Sequence, residues 1–400
     1  MGAEFTDPIS TQWNDDESKT LPDAKKAPIS VTSPEYFTGA DDFGTIERGD
    51  PLPYKIRPER RLELGLERET WRLEVIADPE SDTRLELPLT IEDGTALDFE
   101  GLIELGEKYG VQFLKGLTCN NTQWPLGMGL WEGVPLRVVV WMARPVENLR
   151  RVFYYGYHND DPEQMFQSSL PIGRVLEEPP GELPVILCYK LNGEYLSGKR
   201  GGPVRMLVPD AYGYKSVKWL QRVVLTNYAS ANDTYANGNN DIDSAMKTFA
   251  RFSSLPTTLR AGETIKIAGR AQVGVSGLRN VQVWISPADS VLPQDDPQFT
   301  RGEWRKAEIL SPPVHWGGGL PKGQLPGVPL RFDASTGRPR EWPLRYTVVH
   351  WQAEIEGVEA GTYNLRCRTI DLNGIEQPMP RPFAKSARVG IETALLRVDA

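Results

Sequence analysis

At 400 residues, with 40% apolar and 25% charged side chains, the chain is too long for one ordinary core and too apolar for wholesale disorder; two or three domains are expected. A formal charge of −9 argues against nucleic acid as the main partner, since phosphate binding needs a basic face, and no apolar run approaches the ~20 residues of a membrane helix. The 37 glycines and 33 prolines favour strands and long ordered loops over a helical bundle.

Residues 1–60 are polar and punctuated by Pro and Gly, and read as an extended arm that wraps a later domain. Alternation then marks Arg61–Leu64, Trp71–Val75 and Ser81–Thr90 as half-buried strands. Asp98–Tyr109 has helical spacing at Phe99, Leu102, Ile103 and Leu105, with Gly110 as its stop. Val111–Leu114 begins a strand that ends in the polar loop Cys119-Asn120-Asn121-Thr122. Leu136–Ala143 is apolar apart from Arg137 and is expected to be buried. Val185–Leu191, Asn192-Gly193 and Glu194–Leu196 form a hairpin signal, and Val204–Val208 and Val217–Leu225 are further strands.

From about Leu255 the texture becomes all-β. Thr264–Ala271, Val281–Ile285, Tyr346–Ala353 and Tyr363–Ile370 alternate, which predicts a β-sandwich over 255–400. Pro287–Pro343 should be a long ordered excursion within it. Gly133-Val134-Pro135-Leu136-Arg137 recurs at 327–331 with no period behind it, and is read as coincidence.

Cys119, Cys188 and Cys367 cannot make a disulfide framework, and zinc spacings, CxxCH and HExxH are absent. With only His158, His315 and His350, paired-histidine haem is not expected. Gly193–Lys199 has P-loop spacing, but Arg200 stands where a hydroxyl should ligate magnesium, and the setting is a hairpin. A lone cysteine is usually a small buried hydrophobe. Cys119, at a strand end before polar residues, is also a candidate nucleophile or soft-metal ligand. Gly201-Gly202-Pro203-Val204-Arg205 and Tyr212–Trp219 combine close-approach glycines with Arg and Lys, which suits phosphate; a solvated basic loop is the plain alternative. Asn232-Asp233-Thr234-Tyr235 is a polar loop of the kind that often forms plain turns.

Taken in order, three segments resemble the sulfite oxidase family of molybdenum enzymes. They are Leu117-Thr118-Cys119 with Trp131–Arg137, Gly201–Arg205 with Ser216–Leu220, and Gly361–Arg368 with Asp371–Pro378. The resemblance runs from Leu117 to the end. It implies an α+β chain: a mixed α/β molybdopterin-binding catalytic domain over 61–254, then an Ig-like dimerisation domain over 255–400. It implies that Cys119 is the protein ligand of molybdenum. Arg205, Lys218, Ser216 and Val217 would hold the pterin and its phosphate, with Arg200 in place of the family's cofactor histidine. Asp160 or Asn159 would make a further cofactor contact, Tyr235 would face the metal, and Arg388 would meet the substrate. A thiolate suits a soft metal that already carries dithiolene sulfurs.

This chain also departs from the family. Trp124 stands where sulfite-oxidising members carry an arginine, and the N-terminal Phe-x-Arg-Asn-His signature is missing, with Arg48 a candidate substitute. The expected function is oxygen-atom transfer to or from a small oxyanion, sulfite to sulfate first. Electrons would leave to an external acceptor such as a c-type cytochrome, without haem on this chain, from a homodimer. Another sulfur or nitrogen oxyanion, an S- or N-oxide, and a non-catalytic scaffold are the alternatives. An Ig-like adhesion module would leave the Cys119 segment without purpose. No apolar leader or twin arginine opens the chain, so the expectation is either a cytoplasmic protein or a periplasmic one whose leader has been removed.

Overall fold

Three sheets carry the fold of the computed structural model, which describes residues 35–120, 122, 124–161, 164–234, 241–256, 259–291, 295–296, 299–377, 387 and 389–400. Four α-helices occur among these residues, the longest of eleven residues, so the mixed architecture is dominated by sheet.

The first sheet runs β2 (Leu97–Asp98), β1 (Arg72–Ala77), β10 (Leu220–Thr226), β5 (Arg151–Gly156), β6 (Phe166–Pro171), with β1 and β10 parallel. The second runs β3 (Val111–Thr118), β4 (Pro125–Pro135), β7 (Ile186–Leu191), β8 (Glu194–Tyr195), and β9 (Arg205–Leu207) also pairs with β7. One large core joins them, from Trp71 and Leu73 to Val134, Leu187 and Leu225.

The third sheet has the order β11 (Phe249–Ser254), β13 (Ile265–Gln272), β16 (Val348–Ile355), β15 (Arg305–Ile309), β14 (Asn280–Pro287), β17 (Gly361–Ile370), β18 (Glu392–Asp399), β12 (Leu259–Arg260). Short β15 pairs with both β16 and β14 and so links two halves. Ile267 and Trp351 from one half share a buried cluster with Val283, Leu365 and Leu396 from the other. Alternating burial along β13 and β14 explains the period-two pattern in the sequence.

Local chemistry accounts for several elements. Asp98 caps α2 (Phe99–Tyr109) by accepting from the Gly101 N–H at 2.8 Å. Gly110 ends it, because a Cβ there would lie 2.3 Å from the Gly106 carbonyl oxygen. Asn192 and Gly193 both have positive φ, 52° and 86°, as a type I′ hairpin turn requires. Lys199 is exposed beyond that hairpin, in a 3-10 turn at Gly198–Arg200, and not in a phosphate-cradling loop.

Three expectations need correction. Arg61–Leu64 is not a strand: Pro58 starts the helix α1 (Pro58–Glu63), which buries no residue. Its alternation reflected a solvated turn, with Leu62 40% exposed. Ser81–Thr90 makes only the single bridges Leu85 to Pro145 and Leu89 to Val75, and Pro88, which lacks an N–H, weakens any longer ladder. Leu136–Ala143 is largely the helix α3 (Leu136–Met142); it buries Leu136, Val139 and Val140 but leaves Trp141 55% exposed.

The described part of the arm is held along its length. Phe37 N–H donates to the Trp316 carbonyl at 2.8 Å, and Thr38 N–H to that of Met128 at 2.8 Å. Asn192 Nδ2 donates to the carbonyls of Thr38 and Gly318. Phe43 packs edge-on against Trp131. These contacts bring residues 43–48 to the end of β3.

Candidate active site

Cys119 follows β3 and is 5% exposed. It lines a narrow cleft, partly open to solvent. Five other segments contribute to the walls. The arm contributes Phe43–Ile46 and Arg48, and the turn at 198–200 contributes Arg200. Arg205 opens β9, and the segment Gly213–Trp219 forms one side. Phe166 comes from β6.

Glycines set the close approaches. Gly201 has φ +90°, and a Cβ there would lie 2.6 Å from Lys218 Cβ. Gly213 lies against the end of β3, with a Cβ position 3.2 Å from the Thr118 carbonyl oxygen. Side chains of any size would push the cofactor-facing turns apart.

The cations are oriented by backbone oxygens. Arg205 donates through Nη1 to the Arg200 carbonyl at 2.9 Å and through Nη2 to that of Ser216 at 2.7 Å. Arg200 Nη1 donates to the Gly44 carbonyl at 2.8 Å. Lys218 Nζ donates to Thr45 Oγ1 at 2.8 Å and to the Ile46 carbonyl at 3.3 Å. Ser216 Oγ accepts from the Val208 N–H. Two buried donor atoms, Arg200 Nη2 and Arg205 Nε, have no hydrogen-bond partner among the described residues.

Arg48, Arg200, Arg205 and Lys218 all line this cleft, and among the described residues no Asp or Glu does. The electrostatic consequence is visible at Lys218. Burial, then Arg205, Arg200 and Arg48, lower its pKa to about 7. Burial lowers that of Arg205 to about 10. Clustered, partly desolvated cations of this kind favour an anion.

Among the described residues no three His, Cys, Asp or Glu side chains converge. Cys119 is the one cysteine that lines the cleft. Cys188 and Cys367 are buried elsewhere, and burial pushes the Cys188 thiol up to about 12.

The structure thus brings together Cys119, Arg200, Arg205, Ser216, Val217 and Lys218. Asp160 is not among them. It is exposed and accepts from Tyr157 Oη at 3.0 Å and Arg60 Nη2 at 3.3 Å. Asn159 bonds to Gln164 and Asp161 instead of reaching the cleft. Tyr235 and Arg388 lie outside the described residues. Sequence reasoning missed Phe43–Ile46 and Phe166. Phe43–Ile46 carry no motif, and their place depends on the arm's remote anchors at Trp316 and Met128.

Residues 66–234 match the family profile of the oxidoreductase molybdopterin binding domain. The chain is similar to the nitrate reductase (NADPH) of Beauveria bassiana, 31% identical over 107 residues, 27% of this chain and 12% of that protein. It is similar to the mitochondrial sulfite oxidase of Homo sapiens, 29% identical over 234 residues, 50% of this chain and 41% of the relative. The Drosophila melanogaster sulfite oxidase is 26% identical over 235 residues, 56% of this chain and 38% of the relative. The chain therefore spans well under half the length of these curated relatives. Its fold is similar to the sulfane dehydrogenase SoxCD from Paracoccus pantotrophus, with TM-score 0.59 and 16% identity, covering 98% of this chain and 95% of that one.

Proposed function

We propose that this chain, whose residues 66–234 match the oxidoreductase molybdopterin binding domain, is a molybdopterin-dependent oxidoreductase of the sulfite oxidase family that transfers an oxygen atom between water and a small oxyanion, with sulfite to sulfate as the leading reaction. The observation that carries the reading is the cleft beside Cys119, walled, among the described residues, by four cations and no carboxylate. Sulfite plus water gives sulfate, two protons and two electrons, so an acceptor is required.

The residues fit the family's molybdenum–molybdopterin cofactor. Arg200 Nη2 and Arg205 Nε are buried donors lacking partners, as expected where a phosphate or pterin oxygen belongs. Gly201 lets its turn pack directly against Lys218, and Gly213 lets its turn lie against the end of β3, which holds the cleft walls in place. When bound, the cofactor supplies the two-electron redox and oxygen-transfer chemistry. The chain's own residues bind and orient. The Cys119 thiolate supplies the protein's ligand to the metal. Lys218, Arg200 and Arg205 hold anionic groups, with Ser216 and Val217 lining the same wall. Arg48 carries a further positive charge from the arm.

The remaining family features belong to the same reading. The folded eight-stranded sheet fits an Ig-like dimerisation domain, which makes a C2 homodimer the expected assembly. Electrons pass to a separate carrier such as a c-type cytochrome, and a chain charge of −9 suits a basic one. Sequence similarity to nitrate reductases supports a second reading, turnover of a nitrogen oxyanion at the same site.

Molybdenum content and sulfite-dependent reduction of ferricyanide or cytochrome c, measured on one sample, test this. The expected result is stoichiometric metal with sulfite turnover, and a Cys119→Ser variant that folds and does not turn over. Metal with nitrate but not sulfite turnover would transfer the assignment to the second reading. A metal-free protein, even with abundant cofactor during expression, or full activity in Cys119→Ser, would overturn both.

A further inference from the structure

Each neighbour of Cys119 in the chain is held by a residue that the sheet carrying Cys119 does not supply. Thr118 Oγ1 donates to Gln272 Oε1 at 2.5 Å, across 154 positions of sequence. Asn120 Nδ2 donates to Ser244 Oγ at 3.1 Å. Tyr212 joins the two: its N–H donates to the Ser244 carbonyl at 2.8 Å, and its Oη stands 3.5 Å from Gln272 Nε2. Tyr212 immediately precedes Gly213, where the cofactor-facing turn begins. Thr118, Gln272 and Tyr212 are each 1% exposed, and Ser244 is fully buried.

The strand ladder does not fix this point. The register of β3 against β4 shifts between Leu117 and Thr118, and the partner opposite Thr118 is Pro125, which has no N–H to donate. The placement of Thr118 therefore leans on its hydroxyl as well as on its ladder pair with Pro125. Gln272 is the last residue of β13, where it still pairs on both sides, with Phe249 of β11 and Val348 of β16. Its amide spends both ends on fixed partners, Thr118 Oγ1 and, through Nε2 at 2.8 Å, the Lys247 carbonyl. A buried amide so tethered can shift little without leaving a polar group unpaired. Gln272 does not line the cleft, so it acts through Thr118 rather than on the cofactor.

We infer that Gln272 is a positioning residue for the Cys119 thiolate, by which the eight-stranded sheet sets the direction of the protein's bond to the metal. The inference rests on Cys119 being the metal ligand. Groups that orient a metal ligand commonly matter 10–100-fold for affinity or activity.

The test uses full-length holoenzyme carrying Gln272→Leu, Thr118→Val, or both. The deciding readout is the thiolate-to-metal charge-transfer absorption band, with kcat and KM on the oxyanion turned over as the second. Each single variant is expected to shift the band and to lower kcat about 10–100-fold, with KM little changed. The double variant should be no worse than either single, because both break one interaction. A lower melting temperature with an unmoved band and kcat would mean that the contact is only structural, and would overturn the inference. Should Gln272→Leu fail to fold, Thr118→Val decides alone, since it keeps side-chain shape and leaves β13 intact. A Cys119→Ser control that leaves the band unchanged would instead overturn the ligand reading, and the inference with it.

Discussion

Lys215 Nζ and Asp233 Oδ1 meet at 2.6 Å, and both side chains are 1% exposed. Asp233 also accepts from Ser168 Oγ at 2.5 Å and Ser169 Oγ at 2.8 Å, and Lys215 donates to the Ser169 carbonyl at 2.8 Å. The pair ties the turn that carries Tyr214 to β6 and to the segment that carries Asp233. A buried ion pair is weak evidence of net stabilisation, but breaking one half of it is costly.

Asp233→Ala should accordingly cost about 3–5 kcal/mol, because a buried ammonium is left without its counter-charge. Urea unfolding would read this as a lower midpoint at unchanged slope. Replacing both partners, with Lys215→Met and Asp233→Leu, should recover most of the loss. A cost below about 1 kcal/mol for the single variant would mean that water reaches Lys215.

Lys218 predicts a pH dependence with a definite sign. Its folded pKa is lowered to about 7 from 10.5, by burial first and then by Arg205, Arg200 and Arg48. Between those values the unfolded chain binds the extra proton, so the stability of cofactor-free protein should rise as pH goes from 7 to 10. Binding of an anion favours the charged lysine, so stabilisation by inorganic phosphate should be larger at pH 6 than at pH 9. Thermal melts with and without phosphate at both pH values would show it. Arg200→Ala removes one repelling charge and should move the transition to higher pH. Equal phosphate stabilisation at both pH values would remove Lys218 from the anion site.

Gly156 on β5 predicts a steric effect on the cofactor segment. A Cβ at this position would lie 2.0 Å from the Lys218 carbonyl oxygen and 2.7 Å from Val217 Cγ1. Gly156→Ala should therefore displace Val217–Trp219, costing about 1–3 kcal/mol. It should also lower molybdenum content in purified protein. Full metal content with an unchanged melting temperature would show that the segment can shift freely.

Much of the site was legible because its signals are local. Cys119 at a strand end, the Gly201–Arg205 run and Ser216–Trp219 lie within short stretches, and the cleft gathers residues from all three. The same holds for Asp98 as a cap, Gly110 as a stop and Asn192-Gly193 as a turn, where one or two residues decide the backbone. Asp160 is placed only by its position along the chain, and its carboxylate faces solvent, Tyr157 and Arg60. Arg61–Leu64 failed because four alternating residues do not distinguish an exposed helical turn from a strand when nothing packs on them.

By itself, the sequence determined which segments turn, alternate and present a thiol or a cation, since those properties depend on neighbours within a few residues. The tertiary structure alone decided that Arg48, Arg200, Arg205 and Lys218 share one cleft, that Gly44 and Thr45 meet those cations, and that Gln272 reaches Thr118. These approaches join residues up to 173 positions apart. They follow from how the sheets pack and where the arm is anchored, and no local preference encodes either.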